Sequence, residues 1–179
     1  MIDFRESYTK KSAALKTEFG VKSVMALPKI TKVTIGSGIG KYRTNKDMVA
    51  YIDSALGIIS GQKPMSTQSR KSIAGFKVRE GEVVGYKVTL RGQKMTDFLN
   101  RLINVTLPRI RDFKGIDQLN FDQQGSLTIG FRDQQPFAEL GHEAIDKPFG
   151  VGITITITNS TAEKSFKLLK ELGFPMKLS

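Results

Sequence analysis

Cationic side chains are concentrated in residues 61–94, GQKPMSTQSRKSIAGFKVREGEVVGYKVTLRGQK. This stretch carries eight Lys and Arg against two Glu, a net +6 out of a formal charge of +11 for the 179-residue chain. The cations are Lys63, Arg70, Lys71, Lys77, Arg79, Lys87, Arg91 and Lys94. Together with a pI near 9.9, this charge predicts electrostatic binding of a polyanion, either nucleic acid or an anionic membrane.

The loop within this stretch, residues 69–82, offers groups that could contact RNA in several ways. Its cations can contact phosphates, its two serines can bond to phosphates or 2′-hydroxyls, and an aromatic ring can stack on a base. The candidate residues are Arg70, Lys71, Phe76, Lys77 and Arg79. In the alternative interpretation, Ile73, Phe76 and Val78 anchor the loop to the core and the cations are only solvated. The local charge density favours binding, and the lack of Trp and of an RNP-type aromatic strand favours structured RNA.

Residues that could catalyse a reaction or hold a metal or nucleotide are sparse. The chain has no Cys, and His142, its only His, lies in an acidic loop without a partner for a triad or a metal cage. The glycines of 36–40 are spaced GxGxG, which departs from the dinucleotide fingerprint. The aspartates that a two-metal site would need are scattered: Asp112, Asp117, Asp122 and Asp133. The sequence therefore predicts no catalytic residue, no metal and no cofactor.

Apolar periodicity predicts the elements that must position the cations. Strands are expected at 29–35, 64–68, 83–91, 117–121, 127–131 and 151–158. Helices are expected at 3–19, at 44–60 with Thr44 as N-cap, at 93–107, and after a capping box at 160–163. A glycine turn at 36–40 and an irregular connection at 132–150 complete the pattern. No apolar run is long enough for a membrane span and no signal-peptide core is present, so a cytoplasmic protein is expected.

This order of elements predicts an α+β fold, a mostly antiparallel sheet with helices on one face and the other face open for RNA. Strand alternation places Lys32 and Thr34 on the polar side of one strand, and Lys87, Thr89 and Arg91 on the polar side of another. The alternative is that this polar face is merely solvated. A single domain over 1–179 is expected, with the basic loop 69–82 and an irregular acidic section at 116–150.

Several blocks of sequence in the same order resemble the bacterial large-subunit ribosomal protein L five family, and the likeness covers nearly the whole chain. The blocks are Ser23-Val-Met, Ser60-Gly-Gln-Lys-Pro64, Arg70-Lys-Ser-Ile-Ala-Gly-Phe-Lys-Val-Arg79, Lys87-Val-Thr-Leu-Arg-Gly92, Leu107-Pro-Arg-Ile-Arg-Asp-Phe-Lys-Gly115 and Ile153-Thr-Ile-Thr. Such an ordered set is far more specific than any one block.

The resemblance implies a structural protein of the ribosomal central protuberance in the cytoplasm. Its implied partners are 5S rRNA, large-subunit rRNA, P-site tRNA, neighbouring ribosomal proteins and small-subunit head protein S thirteen. The implied 5S rRNA surface is the open sheet face with Gln62, Thr89 and Arg91, and we expect Lys63 and Lys87 to add phosphate contacts there. The basic loop matches the family's tRNA-proximal loop, and residues 109–147 match its intersubunit bridge.

The chain departs from the family pattern at three places. Gly36 stands where the family usually has Asn, Gly152 stands where Asp or Asn is common, and Phe137-Ala-Glu139 replaces Phe-Pro-Glu. The first departure removes an amide that could contact RNA. Two other function classes remain as alternatives: a basic module that binds acidic proteins or membranes, and a nucleotide-dependent enzyme suggested only by the glycine turn.

Overall fold

A computed structural model of the chain describes residues 8–177, apart from 9, 12–14, 17–18, 22, 112 and 142–146. Over this part of the chain five strands form one sheet in the order β2-β3-β1-β5-β4. The strands are β1 Lys29–Gly38, β2 Met65–Gln68, β3 Val83–Leu90, β4 Leu127–Phe131 and β5 Val151–Thr158. The helices are α1 Lys46–Ser60, α2 Gly92–Arg101 and α3 Ala162–Glu171. Residues 8, 10, 11, 15 and 16 are also helical, and the rest of the predicted helix at 3–19 lies largely outside the described residues.

The sheet is antiparallel and the predicted α+β class is confirmed. Strand β5 shows why the sequence forms it, because isoleucine and threonine alternate with the two-residue period of a strand. Ile153 and Ile155 are fully buried while Gly152 and Thr158 are exposed. One side of β5 therefore supplies core residues, and the other side is polar or small.

The chain divides into two compact units. The first comprises the described residues of 1–33, 90–129 and 154–179, and it contains α2 and α3. Its core is built from apolar side chains of both helices, among them Phe98, Leu99, Leu168 and Leu169. The second unit comprises 34–89 and the described residues of 130–153, and it contains α1 and the basic loop. Its core includes Ile52, Leu56, Ile59, Phe137 and Phe149.

Strand β1 is longer than predicted, since it includes Gly36–Gly38, part of the predicted glycine turn. The strand extends this far because Ser37 lies close to the backbone of neighbouring segments. The Ser37 hydroxyl donates to the Gly150 carbonyl at 2.7 Å, and a Cβ added to Gly85 would lie only 2.7 Å from the Ser37 carbonyl oxygen. Glycine at 85 thus permits the close approach of these strands, and the turn is shifted to residues 40–44.

The predicted starts of two helices are also corrected. The N-cap of α1 is Asn45 rather than Thr44, because the Asn45 side chain accepts from the amides of Asp47 and Met48 at 3.1 Å. The capping box at 160–163 does not form. The N-cap of α3 is Thr161 without a side-chain hydrogen bond, and the Ser160 hydroxyl instead accepts from the Ser165 hydroxyl at 2.8 Å.

Two further segments differ from the predicted elements. The strand expected at 117–121 is wrong, because Asp117 caps a 3-10 turn, Gln118–Asn120, by accepting from the Leu119 amide. Helix α2 ends at Arg101, but the chain continues through a π-helix, Leu102–Thr106, and a 3-10 turn, Leu107–Arg109, that includes Pro108. In the part of the chain that the structure describes, no helix combines the length and apolar character required to span a membrane.

Candidate nucleic-acid interface

A group of polar and cationic side chains of the second unit lies on β1, on β3 and just after α1. We call this group the sheet patch: Thr34, Gln62, Lys63, Lys87 and Thr89. Alternation along β3 positions two of its members, because Val88 and Leu90 point into the core at 2% and 0% exposure. Lys87 is consequently exposed and Thr89 half-buried on the opposite side. Strand β3 lies between β2 and β1, and its pairing with β2 extends as far as Lys87, opposite Met65. Neighbouring strands therefore fix the backbone position of Lys87.

Lys87 lies beside Gly36 of β1 and opposite Met65 of β2. A Cβ added to Gly36 on β1 would lie 4.0 Å from the Lys87 Cβ and 3.5 Å from the Tyr86 carbonyl oxygen. Glycine at this position therefore removes the side chain that would otherwise stand beside Lys87. On the other flank, Lys87 is paired in register with Met65 of β2, which is 65% exposed.

Gln62 and Thr89 lie close together. The Gln62 Nε2 donates to the Thr89 carbonyl at 3.5 Å. Gly61, in the left-handed region with φ +65°, ends α1 and precedes the segment that leads into β2. The buried Ser60 hydroxyl donates to the Leu56 carbonyl at 2.6 Å, its nearest acceptor, and accepts from the Gln62 amide at 3.2 Å. These bonds fix the backbone that carries Gln62 and the exposed Lys63.

Two predicted site residues belong to the first unit. Lys32 lies on β1 and is half-buried, whereas Arg91 is exposed immediately before α2, with an extended backbone of φ −140° and ψ 162°. Strand alternation alone could not reveal this division, since it depends on which residues of distant segments pack together.

The basic loop 69–82 has a defined hydrogen-bonded structure. Ile73 and Val78 exchange backbone bonds at 2.9 and 3.2 Å, and nearer its base the Ser69 amide donates to the Glu82 carbonyl at 2.9 Å. At the tip, Phe76 is 74% exposed and Lys77 is left-handed with φ +52°. Ile73 is also exposed, at 48%. The exposure of Ile73 and Phe76 contradicts the alternative in which Ile73, Phe76 and Val78 anchor the loop in the core, although Val78 is half-buried.

Arg43, which sequence reasoning missed, contacts the basic loop from the turn before α1. Its Nη1 and Nη2 donate to the carbonyls of Phe76 and Lys77 at 3.4 and 2.6 Å. Its Nε lies 2.9 Å from Oε1 of Glu82, whose Oε2 accepts from the Arg79 amide at 3.0 Å. No sequence signal could have indicated this set of contacts, because Arg43 lies 39 positions before its carboxylate partner.

The predicted RNA-binding cations are free of ion pairs in the described part of the chain. The ion pairs there involve other cations: Lys11 with Glu171, Arg43 with Glu82, and Lys177 with Asp117. The cations left available are Lys32, Lys63, Arg70, Lys71, Lys77, Arg79, Lys87 and Arg91. An anionic ligand can therefore bind them without displacing a protein carboxylate.

An open groove of about 430 Å³ lies beside the loop, but its charges are mixed. Arg43 and Lys46 line it together with Asp53 and Glu82. Burial, and secondarily the negative charge of Asp53, raise the pKa of the Tyr86 hydroxyl in this groove. Because Asp53 and Glu82 offset Arg43 and Lys46, the groove offers no concentration of positive charge for a phosphate.

The described residues contain no group of three or more His, Cys, Asp or Glu that could hold a metal ion. His142 and Asp112 lie outside the described residues. The glycines at 36 and 38 are part of β1 and do not form a loop at a helix N-terminus, which a dinucleotide site requires.

Comparison with known proteins relates the N-terminal and C-terminal portions of the sequence to one family. Residues 23–79 match the family described as "Ribosomal protein L5", and residues 83–176 match the model for the C-terminus of the same ribosomal family. Among similar proteins, the large ribosomal subunit protein uL5 of Nitrosomonas europaea is 47% identical over 174 residues, covering 97% of this chain and 96% of that protein. The uL5 of Colwellia psychrerythraea strain 34H is 46% identical over 165 residues, covering 92% and 91%.

The resemblance inferred from the sequence blocks is thereby confirmed, and so is the prediction that the protein is not an enzyme. Members of this family are structural components of the ribosome in the cytoplasm, where they bind rRNA and other ribosomal proteins. The chain belongs to the ribosomal protein L5 family and is a structural constituent of the large ribosomal subunit.

Proposed function

We propose that the protein binds 5S rRNA in the central protuberance through the sheet patch and contacts P-site tRNA through the basic loop. The observation that carries the proposal is that Lys63 and Lys87 are exposed beside the directional hydrogen-bonding groups of Gln62 and Thr89, and form no ion pair with any described residue. Cations alone would bind any polyanion. Their placement next to hydroxyl and amide groups suits a folded RNA with fixed phosphate and 2′-hydroxyl positions.

The sheet patch would bind RNA mainly by charge, with hydrogen bonds setting the orientation. Lys63 and Lys87 neutralise phosphates, while Thr34, Thr89 and Gln62 bond to riboses or base edges. Lys32 and Arg91 of the first unit are further predicted phosphate contacts. Because each neutralised phosphate releases counterions, the affinity should fall by about 0.7–0.9 log units per contact for each log unit of salt.

The basic loop has different chemistry and would have a different RNA partner. Arg70, Lys71, Lys77 and Arg79 supply cations around the exposed ring of Phe76. A protruding loop with an aromatic tip fits an irregular RNA surface where a base or ribose is available for stacking. The elbow of P-site tRNA is such a surface, and we assign the loop to it.

The irregular section 109–147 would contact protein rather than RNA. The part of this section within 116–150 is rich in acidic residues. The buried side chain of Gln134 stabilises the described part of the section. The Gln134 side chain donates to the Lys147 carbonyl at 2.9 Å and accepts from the Phe149 amide at 2.8 Å. We propose that this section binds the basic small-subunit head protein S thirteen across the intersubunit bridge, with large-subunit rRNA and neighbouring central-protuberance proteins as further partners.

A binding series at matched salt tests the proposal. The whole protein is titrated onto 5S rRNA, onto tRNA and onto a random-sequence RNA of similar length, and complexes are measured by filter retention. We expect 5S rRNA to bind at least about tenfold more tightly than the random RNA, as specific RNA contacts outweigh non-specific charge. Equal affinity for all three RNAs would reduce the protein to a non-specific polyanion binder.

Gly36→Asn is expected to tighten 5S rRNA binding by about three- to tenfold without loss of stability, since one added hydrogen bond to RNA contributes about 0.5–1.5 kcal/mol. The space exists, because the nearest atoms to a Cβ at this position are 3.5 and 4.0 Å away. Gly36→Ala is the matched control, since it adds the Cβ without the amide. Filter retention and thermal unfolding of both variants provide the measurement, and equal affinities would rule out an amide contact at this position.

A further inference from the structure

We infer that Arg43 is a positioning residue for the basic loop, and that it acts with Glu82 to preform the loop for tRNA. This inference rests on the proposed role of the loop in binding tRNA. We call the two side chains the Arg43–Glu82 clasp. Neither is assigned an RNA contact: each acts by holding the loop backbone that carries Phe76, Lys77 and Arg79.

The clasp contacts the loop at its tip and on the segment that returns to β3. The guanidinium donates to the consecutive carbonyls of Phe76 and Lys77. It also pairs with the Glu82 carboxylate, which in turn accepts from the Arg79 amide. One planar, five-donor group thus links three loop positions, a geometry that Lys cannot reproduce. Both side chains are only partly exposed, at 21% for Arg43 and 33% for Glu82.

The bonded carbonyls flank the least favourable backbone in the loop. Lys77 is one of two non-glycine residues with positive φ in the described part of the chain, and such a conformation persists only where surrounding contacts enforce it. Holding the carbonyls of Phe76 and Lys77 keeps the Phe76 ring projecting outward. A preformed loop also binds more tightly than a disordered one, because its ordering entropy is lost before the ligand arrives.

Replacing either loop glutamate by Gln separates positioning from charge. Glu82→Gln and Glu80→Gln each remove one negative charge from the same loop. The Glu80 carboxylate makes no hydrogen bond or ion pair with any residue the structure describes. If only charge matters, or if Arg43 itself binds RNA, both variants bind tRNA more tightly. If the clasp positions the loop, tRNA affinity rises in Glu80→Gln and falls in Glu82→Gln. The reason is that Gln at 82 loses the ion pair with Arg43 and cannot accept hydrogen bonds on both terminal atoms.

The experiment measures tRNA and 5S rRNA affinity and the hydrogen exchange of loop amides in wild type, Glu80→Gln and Glu82→Gln. We expect Glu80→Gln to raise tRNA affinity about twofold through weaker repulsion, and Glu82→Gln to lower it about fivefold through lost charged hydrogen bonds. The Arg79 and Lys77 amides should exchange faster only in Glu82→Gln. Affinity for 5S rRNA should not fall in either variant, because the sheet patch is intact.

Normal exchange at Arg79 and Lys77 together with tRNA binding as tight as in Glu80→Gln would overturn the inference. Faster exchange without weaker tRNA binding would also overturn it, since the loop would then need no preforming. If wild type binds tRNA no better than random RNA, the assignment of the loop to tRNA fails. In that case loop exchange alone decides whether the clasp orders the loop.

Discussion

Lys87→Glu is expected to weaken 5S rRNA binding by about a hundredfold, close to 3 kcal/mol, while the affinity for tRNA changes little. Lys87 is exposed near the middle of β3, has no carboxylate partner in the described part of the chain, and is flanked by Gly36. The substitution removes a charge-assisted bond to a phosphate, which contributes about 1.5–3 kcal/mol, and adds repulsion. Filter retention with both RNAs at one salt concentration measures the effect.

Lys167→Glu is the matched control, because it makes the same change in net charge on α3, outside the sheet patch. We expect it to weaken 5S rRNA binding by about threefold or less, since salt screens a charge that does not touch the RNA. The slope of log affinity against log salt should become shallower in Lys87→Glu alone. An equal loss in both variants would mean that the protein binds 5S rRNA through its overall charge and that the sheet patch is not a site.

Strand alternation allowed much of the fold and part of the candidate site to be predicted. Strand β5 was predicted with its observed limits and β3 to within one residue, because a two-residue period with β-branched side chains leaves little choice. The same alternation correctly separated Lys87 and Thr89 from the buried Val88. Alternation predicts burial in these strands because one side of the strand packs against the core and the other faces outward.

The errors arise where distant segments decide the conformation. Gly36–Gly38 is composed like a turn, yet close contact with Gly85 and Gly150 makes it a strand. The basic loop was predicted as an exposed, cationic segment, but its hydrogen bonds to Arg43 could not be read from residue types. The bonds from the Arg43 guanidinium to two carbonyls depend on tertiary geometry. Neither the hydrophobic periodicity nor the composition of the sequence indicates that geometry.

Gly115→Ala is expected to destabilise the protein by about 3 kcal/mol, through a backbone collision added to left-handed strain. Gly115 has φ +92°, and a Cβ there would lie 2.6 Å from the Lys177 nitrogen and 2.8 Å from its Cα. Backbone bonds hold this C-terminal segment in place, since the Ile116 amide donates to Pro175 and the Lys177 amide to Ile116, at 2.9 and 3.0 Å. For a chain of this size the midpoint of thermal unfolding should fall by about 6–12 °C.

Gly61→Ala separates the collision from the strain. Gly61 also has a left-handed backbone, at φ +65°, but no atom lies within 4 Å of a Cβ built there. Its substitution should therefore cost only about 1 kcal/mol, the conformational term that both variants share. The difference in unfolding free energy between the two measures how firmly the segment at Lys177 is fixed. If both variants lose the same stability, that segment moves aside freely, and its pairing with Ile116 contributes little to the fold.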